Sequence, residues 1–129
     1  MNIPSLIAQW LQTNGYATVG TDLFIDQLPN EAPDETFWLI NGGGSVQSFN
    51  ATKERTDSYT LTLFYRNKSP KDVIETLEEI ANDWNTTRHI DLDPLDVRWS
   101  TSSLPDDQGR DANGRAQGTL TLNLIIYRR

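Results

Sequence analysis

Apolar residues near the N-terminus repeat with the period of an α-helix. They fall at i, i+3, i+4, i+7 and i+8, as Ile3, Leu6, Ile7, Trp10 and Leu11. Pro4 suits the first turn of a helix, and Gly15 suits the position after its end. The pattern predicts an amphipathic helix whose apolar stripe packs against the rest of the protein. Its polar side chains are uncharged, which fits either a solvent-exposed face or a face covered by another subunit.

Two short runs of aromatic and β-branched residues follow, at residues 22–27 and 36–41. They predict two β segments joined by a polar, proline-marked connection. Glycines at positions 42–44 then break the pattern. A phosphate-binding loop would need Lys and then Ser or Thr at a helix start, but Ser45, Val46 and Gln47 follow instead. The triplet therefore predicts a flexible turn.

The clearest strand and helix signals lie in the middle of the chain. Residues 57–66, DSYTLTLFYR, alternate with the period of a strand. Ser69 then suits a helix N-cap, Pro70 the first helical position and Asp72 the acid of a capping box. The predicted helix has one apolar stripe, made of Val73, Ile74, Leu77, Ile80, Ala81 and Trp84. Its opposite face is acidic and carries Asp72, Glu75, Glu78, Glu79 and Asp83.

The C-terminal third predicts a pair of strands with a long connection. Residues 97–104 and 119–127 have strand patterns, and the second alternates leucine and isoleucine with polar residues. Residues 104–118 between them are polar, acidic and rich in glycine, which is typical of a turn or mobile loop. The predicted fold is α+β: a mainly antiparallel sheet covered by two helices, in one domain over residues 1–129, as a ring-forming subunit.

Composition narrows the possible functions. The chain has 129 residues, no cysteine and 18 acidic against 11 basic residues, for a formal charge of −7. The absence of cysteine excludes disulfide scaffolds, cysteine nucleophiles and thiolate zinc sites. An acidic chain without a basic run lacks the charge pattern of a protein that grips nucleic acid. The hydrophobic fraction of 36% is modest, which indicates that other subunits contribute to burial. No apolar stretch predicts a membrane span or a signal peptide, so a soluble protein made in the cytoplasm is expected.

Candidate catalytic groups are sparse. The single histidine, His89, precedes Asp91, Asp93 and Asp96, a spacing that could serve a divalent metal in a small metal-dependent hydrolase. Pro94 interrupts this run, and no second histidine supports it. Serine nucleophile motifs are missing as well. We therefore expect no enzyme activity, no cofactor and no metal, with the hydrolase as a minor alternative.

The order of several weak motifs resembles a family of phage proteins. An N-terminal helix ending in WLQTNG is followed by GTDLFIDQLP, a glycine-rich break after FWLINGGG, and the strand DSYTLTLFYR before a helix begun by Ser-Pro. A G-x-D-x-x-G-R loop then precedes the last strand, in LPDDQGRDANGRAQGTLTLNLIIYRR. This order resembles the minor capsid or tail terminator proteins of long-tailed bacteriophages, and it covers nearly the whole chain.

The resemblance implies a structural role in the virion. Such a subunit would form a hexameric ring at the head-proximal end of the tail tube, stop tube growth and offer a docking surface to the neck. Its partners would be copies of itself, the tail tube protein and a neck or head-completion protein, and DNA would pass without specific binding. A neck or head-completion ring is the alternative. No membrane is implied.

Two groups of charged residues are candidates for contacts in such a ring. The first would meet neighbouring subunits or partners and consists of Arg110, Asp111, Arg115, Arg128 and Arg129. Arg110 and Arg115 are expected to meet carboxylates, among which those of the second helix are candidates. The second group is the acidic helix face defined above, which would line the bore, dock a basic partner or simply face solvent. Sheet edges and hairpin arms are further candidates for pairing between subunits.

Overall fold

Two helices lie on one side of a six-stranded sheet. The structure, a computed structural model, describes residues 3–49, 54–85 and 90–128, with only the backbone of 45–49. The elements are α1 (Ile3–Thr13), β1 (Leu23–Ile25), β2 (Thr36–Phe49), β3 (Arg55–Asn67), α2 (Pro70–Asn85), β4 (Asp96–Ser102), β5 (Asp106–Arg110) and β6 (Ala116–Arg128).

The strands form one sheet in the order β1-β2-β3-β6-β4, and β5 pairs with the beginning of β6. Among the ladders between strands of the described chain, that of the short β1 with β2 is parallel and the others are antiparallel. The predicted α+β class with a mainly antiparallel sheet is confirmed. Because β3 and β6 occupy the centre and pair over their whole lengths, they set the register of the other strands.

The core lies between the helices and one face of this sheet. Alternate residues of β6 are buried there: Leu120, Leu122, Leu124 and Ile126. Leu61 and Leu63 of β3 lie on the same face, against the buried stripe of α2 that the sequence predicted. Burying each such side chain contributes about 1.5–3 kcal/mol, so this alternation determines which face the helices cover. The other face has no helix of the described chain packed on it.

Both helix boundaries follow from local chemistry. Gly15 has a φ of 81°, and the N–H groups of Gly15 and Tyr16 donate to the carbonyls of Gln12 and Leu11, which closes α1 in a Schellman motif. At the start of α2, the Ser69 hydroxyl accepts a 3.4 Å hydrogen bond from the Asp72 N–H, as expected of an N-cap.

The prediction of a flexible turn at residues 42–44 is wrong. These glycines lie inside β2, which continues to Phe49 beside β3. The ladder shifts register between Asn41 and Gly44, and Gly43 has a φ of 89°, so the irregularity is a β-bulge. A Cβ at Gly42 would lie 2.7 Å from the carbonyl oxygen of Thr60, which explains why glycine suits this position.

The segment 104–118 also differs from its prediction as a loop. Most of it is a β-hairpin, in which β5 pairs with the first residues of β6 around a turn at residues 111–115. Polar, glycine-rich composition did predict the turn. It could not reveal the pairing, because the partner residues are held by the register of β6 on β3 rather than by a local apolar pattern.

Candidate subunit and partner interface

The acidic face of α2 points away from the sheet. Since the apolar stripe of the helix packs on β3, β4 and β6, the opposite face meets solvent, and all five predicted carboxylates are exposed. Lys71 approaches Glu75 at 3.7 Å and is the only basic residue of the helix. The sequence therefore placed these five side chains together correctly.

One end of this acidic face adjoins the C-terminus of α1. The Tyr16 hydroxyl donates a hydrogen bond to Asp83, and Trp10 packs edge-on against Trp84 at 5.3 Å between ring centroids. Burial, followed by the nearby Asp83, raises the pKa of Tyr16 well above its usual range. An open groove lies beside this contact and is lined by Asn14, Gly15, Tyr16, Glu79, Asn82 and Asp83. The uncharged end of α1 thus adjoins the acidic face of α2 at Glu79 and Asp83.

Arg115 and Asp111 hold the β5–β6 hairpin to the segment before β2. The Arg115 guanidinium lies 2.8 Å from Asp111 and 3.3 Å from Asp34, which Lys68 also approaches at 3.2 Å. We refer to Asp34, Lys68, Asp111 and Arg115 as the hairpin clip. Arg115 does meet carboxylates, but they are not those of α2. The hairpin is thus tied to its own chain by these ion pairs.

Arg66 also binds the segment before β2, and nothing in the sequence indicated this role. Arg66 is buried at the end of β3, and its guanidinium donates to the carbonyls of Ala32, Pro33 and Asp34. A charged residue at the end of a strand pattern gives no sign of burial. Its role depends on the fold, which brings residues 32–34 over it.

Arg128 is also engaged within the chain. Its Nε lies 2.7 Å from Asp57, a buried carboxylate that Arg55 approaches at 3.1 Å from the other side. The predicted partner residue Arg129 lies outside the described residues. Arg110 differs from Arg115 and Arg128, because it is exposed and its guanidinium donates to the Gly114 carbonyl at 2.6 Å rather than to a carboxylate of the described chain. Of the three predicted arginines that the structure describes, Arg110 is the exposed one.

The uncovered face of the sheet is uncharged across its middle. Trp38 stacks on Phe64 at 5.0 Å, and the Thr60 hydroxyl donates to Asn123 at 3.1 Å. The ladders place these side chains on one face: Trp38, Ile40, Thr60, Thr62, Phe64, Trp99, Thr101, Thr119, Thr121, Asn123 and Ile125. We call this surface the open face. The threonines that alternate with leucines in β3 and β6 were the signal for it, but they show only that the face is polar or half-buried.

Among the described residues, the structure shows no metal site of the kind that the hydrolase alternative requires. Asp91 and Asp93 are exposed, and the Asp93 N–H donates to Asp91, while His89 lies outside the described residues. Within the described ranges, no three His, Cys, Asp or Glu side chains converge as a metal ion would require. None of the described helices combines the length and hydropathy needed to cross a lipid bilayer.

The fold and these surfaces define an α+β subunit with an acidic helical side and an uncharged sheet side. A family model described as Bacteriophage tail terminator protein matches residues 10–128. The chain belongs to this family. A search of curated proteins finds no match. Membership identifies a structural protein of the phage tail, of a class that acts through contacts with other tail or neck proteins in the virion.

From the ion pairs of the hairpin clip we expect the folded protein to lose stability in acid. Lys68 and then Arg115 hold the pKa of Asp34 below its ordinary value of 3.8. Burial would raise the pKa of Asp111, but hydrogen bonds from Arg115 and Asn113 outweigh it, so that pKa is lowered too. Because both pKa values are lowered in the folded state, the two carboxylates stabilise the fold fully at pH values above their ordinary pKa. That stabilisation is lost as the pH falls through the pKa of the folded state.

Asp111→Asn should therefore lower Tm most at neutral pH, and the difference from the unchanged protein should narrow below about pH 4. Thermal unfolding followed by circular dichroism between about pH 7 and pH 3 measures this. Glu78→Gln, a neutralised exposed acid on α2, is the control, and its effect should stay small throughout. A constant Tm difference for Asp111→Asn at every pH would show that charge at Asp111 does not stabilise the hairpin.

Proposed function

We propose that this protein, as one domain, forms a ring at the head-proximal end of the phage tail tube, ends tube polymerisation and joins the tube to the neck. The family match over residues 10–128 carries the proposal. A hexameric ring gives each subunit two different contact surfaces, as head-to-tail closure requires. The open face and the acidic helical side differ in chemistry and lie on opposite sides of the sheet, so a subunit in the ring has separate surfaces for other partners.

We assign the acidic face of α2 to docking against a basic patch of the tube or neck protein. Five exposed carboxylates with one lysine create a negative surface that attracts such a patch. Arg110, on the exposed hairpin, is a second contact in this proposal. DNA passes through the ring without specific binding, since a protein with a net charge of −7 offers no excess of basic groups to hold phosphates.

The test uses purified protein added to tube protein that is polymerising. We expect rings in negative-stain images, and tubes that stop growing with a ring at one end. Rings that bind a neck protein but leave tube growth unchanged would favour a head-completion role and contradict tail termination.

The triple variant Glu75→Gln, Glu78→Gln and Glu79→Gln tests the docking face in the same assay. Its fold should be intact because the apolar stripe is unchanged, and it should form rings but attach to tubes or neck at least about tenfold more weakly. Asp106→Asn with Asp107→Asn, two exposed acids on β5, is the control and should attach normally. If the triple variant caps tubes normally, and phage that carry it eject DNA at a changed rate, the face borders the bore and our assignment to docking is wrong.

A further inference from the structure

The two longest stretches of sheet edge without a strand partner in the described chain lie on β4 and β2. One is the outer side of β4, the terminal strand of the sheet. The other is β2 beyond Leu39, because β1 pairs only with residues 37–39. On β4, Asn85 accepts a hydrogen bond from the Ser102 N–H at 3.0 Å and the Thr101 carbonyl accepts one from Trp84, so the open part of that edge is residues 96–100. Unpaired edges of this kind are templates for pairing with another strand.

These two edges lie at the same level of the sheet. The ladders trace rows of paired residues from β4 through β6 and β3 to β2. Two such rows are Asp96, Tyr127, Thr56, Ser48 and Ser102, Leu122, Leu61, Asn41. The open part of β4 therefore faces outward at the height where β2 is also open. At the other end of the sheet, β1 and β5 occupy the corresponding positions.

The strand directions are complementary as well. Each neighbouring pair from β2 through β3 and β6 to β4 is antiparallel, so β4 and β2 run in opposite directions. A β4 strand placed beside the β2 of another copy would thus form an antiparallel pair. The helices of both copies would then lie on the same side of the joined sheet. In a closed ring, rotation about the ring axis relates the copies without shifting any of them along that axis. The β4 edge of one copy therefore meets the next copy at the same height, where β2 is open.

We propose that the outer edge of β4 in one subunit pairs with the free part of β2 in the next, which makes the sheet continuous around the ring. This inference rests on the proposed ring-forming function and names the surface that closes the ring. The partner is a second copy of this chain.

The side chains at the two edges support this pairing. Ile40, at 38% exposure, and Trp99, at 53%, are two of the large apolar side chains exposed in the described chain. Both side chains lie on the open face, at opposite edges of the sheet. Pairing of β4 with the β2 of the next copy would therefore place them on the same face of the joined sheet, beside the contact between the two copies. Charge does not oppose the joint, because Arg98 lies 3.0 Å from Asp96 on β4 and neutralises it.

Paired cysteines test the joint directly, since the natural chain has none. Ile40→Cys and Thr101→Cys place thiols on the open face at the two edges, three strand spacings or about 14 Å apart within one chain. A thiol cross-linker that spans about 8 Å is too short to join these two thiols within one chain. It can join them when they are diagonal neighbours on paired strands of two copies. The double variant should give a ladder of covalent oligomers up to the full ring. Each single variant should stay monomeric on a denaturing gel.

The control is Thr101→Cys with Glu75→Cys, which moves one thiol to the exposed face of α2. A double variant that links no better than this control overturns the edge pairing. If rings are seen in the same sample, ring formation stands while its proposed surface is wrong. A full ladder from protein that fails to stop tube growth would support the edge pairing and contradict tail termination.

Hydrogen exchange of the unchanged protein provides a second measurement that does not depend on a variant folding. Outward-facing amides of residues 40–49 and 96–100 should exchange at least about tenfold more slowly in the assembled ring than in dilute monomer. The amides of β3 should differ little, because they are already paired on both sides. Unchanged exchange at both edges on assembly would refute the proposal.

Discussion

Trp84→Ala is expected to lower the free energy of unfolding by about 3–5 kcal/mol. Trp84 is fully buried at the end of α2, where its ring meets Trp10 and its Nε1–H donates to the Thr101 carbonyl at 2.9 Å. Truncation opens a cavity between both helices and β4, and it removes a hydrogen bond at the same time. For a chain of this size we expect Tm to fall by roughly 10–20 °C.

Urea unfolding followed by circular dichroism measures this change, and Trp99→Ala is the matched control. Trp99 is 53% exposed on the open face, so its removal should change monomer stability by less than about 1 kcal/mol. The edge pairing predicts instead that Trp99→Ala weakens ring assembly. Equal losses of stability in the two variants would contradict the assignment of Trp84 to the core and of Trp99 to the surface.

Gly118→Val is expected to cost about 1–3 kcal/mol through overpacking. Gly118 lies on β6 directly under α2, and a Cβ there would lie 2.7 Å from Val73 Cγ1 and 2.9 Å from Leu77 Cδ1. The helix must move away from the sheet to admit a side chain. Because β5 pairs at this point, the beginning of the hairpin should loosen too.

The control for Gly118→Val is Thr119→Val, one residue further along β6 and on the opposite face. Its shape is nearly unchanged and no helix covers it, so its effect should stay within about 0.5 kcal/mol. Denaturant unfolding and hydrogen exchange of residues 106–110 check both variants. A stabilised Gly118→Val would mean that α2 packs less closely on β6 than the structure has it.

Local patterns predicted the regular elements well where one face of an element is buried. The stripe of α2 and the alternation of β3 and β6 were predicted because burial imposes periods of about 3.6 and 2 residues on apolar positions. The predictions failed at the glycines of β2 and at β5. There the strands are specified by backbone pairing to a neighbour, and their own side chains are small, polar or exposed.

Among the candidate charged residues, too, local spacing predicted the arrangement of some and not of others. Spacing along a helix placed the five acids of α2 on one surface, since residues three and four apart are neighbours there. Asp34, one partner of Arg115, and Asp57, one partner of Arg128, lie 81 and 71 residues away along the chain. No local pattern reports such distances. These arginines were predicted to meet other molecules because their partners within the chain were not visible.

By itself, the sequence determined the α+β class, both helices with their buried stripes, the acidic face of α2 and the resemblance to tail terminators. These properties depend on side chains that are near one another in the chain. Only the tertiary structure decided that Arg66 is buried and that the hairpin clip ties Asp34 to the hairpin. It also decided that one sheet face is open and that two unpaired edges match in level and direction. Those features depend on the register of β3 between β2 and β6, which joins residues far apart in sequence.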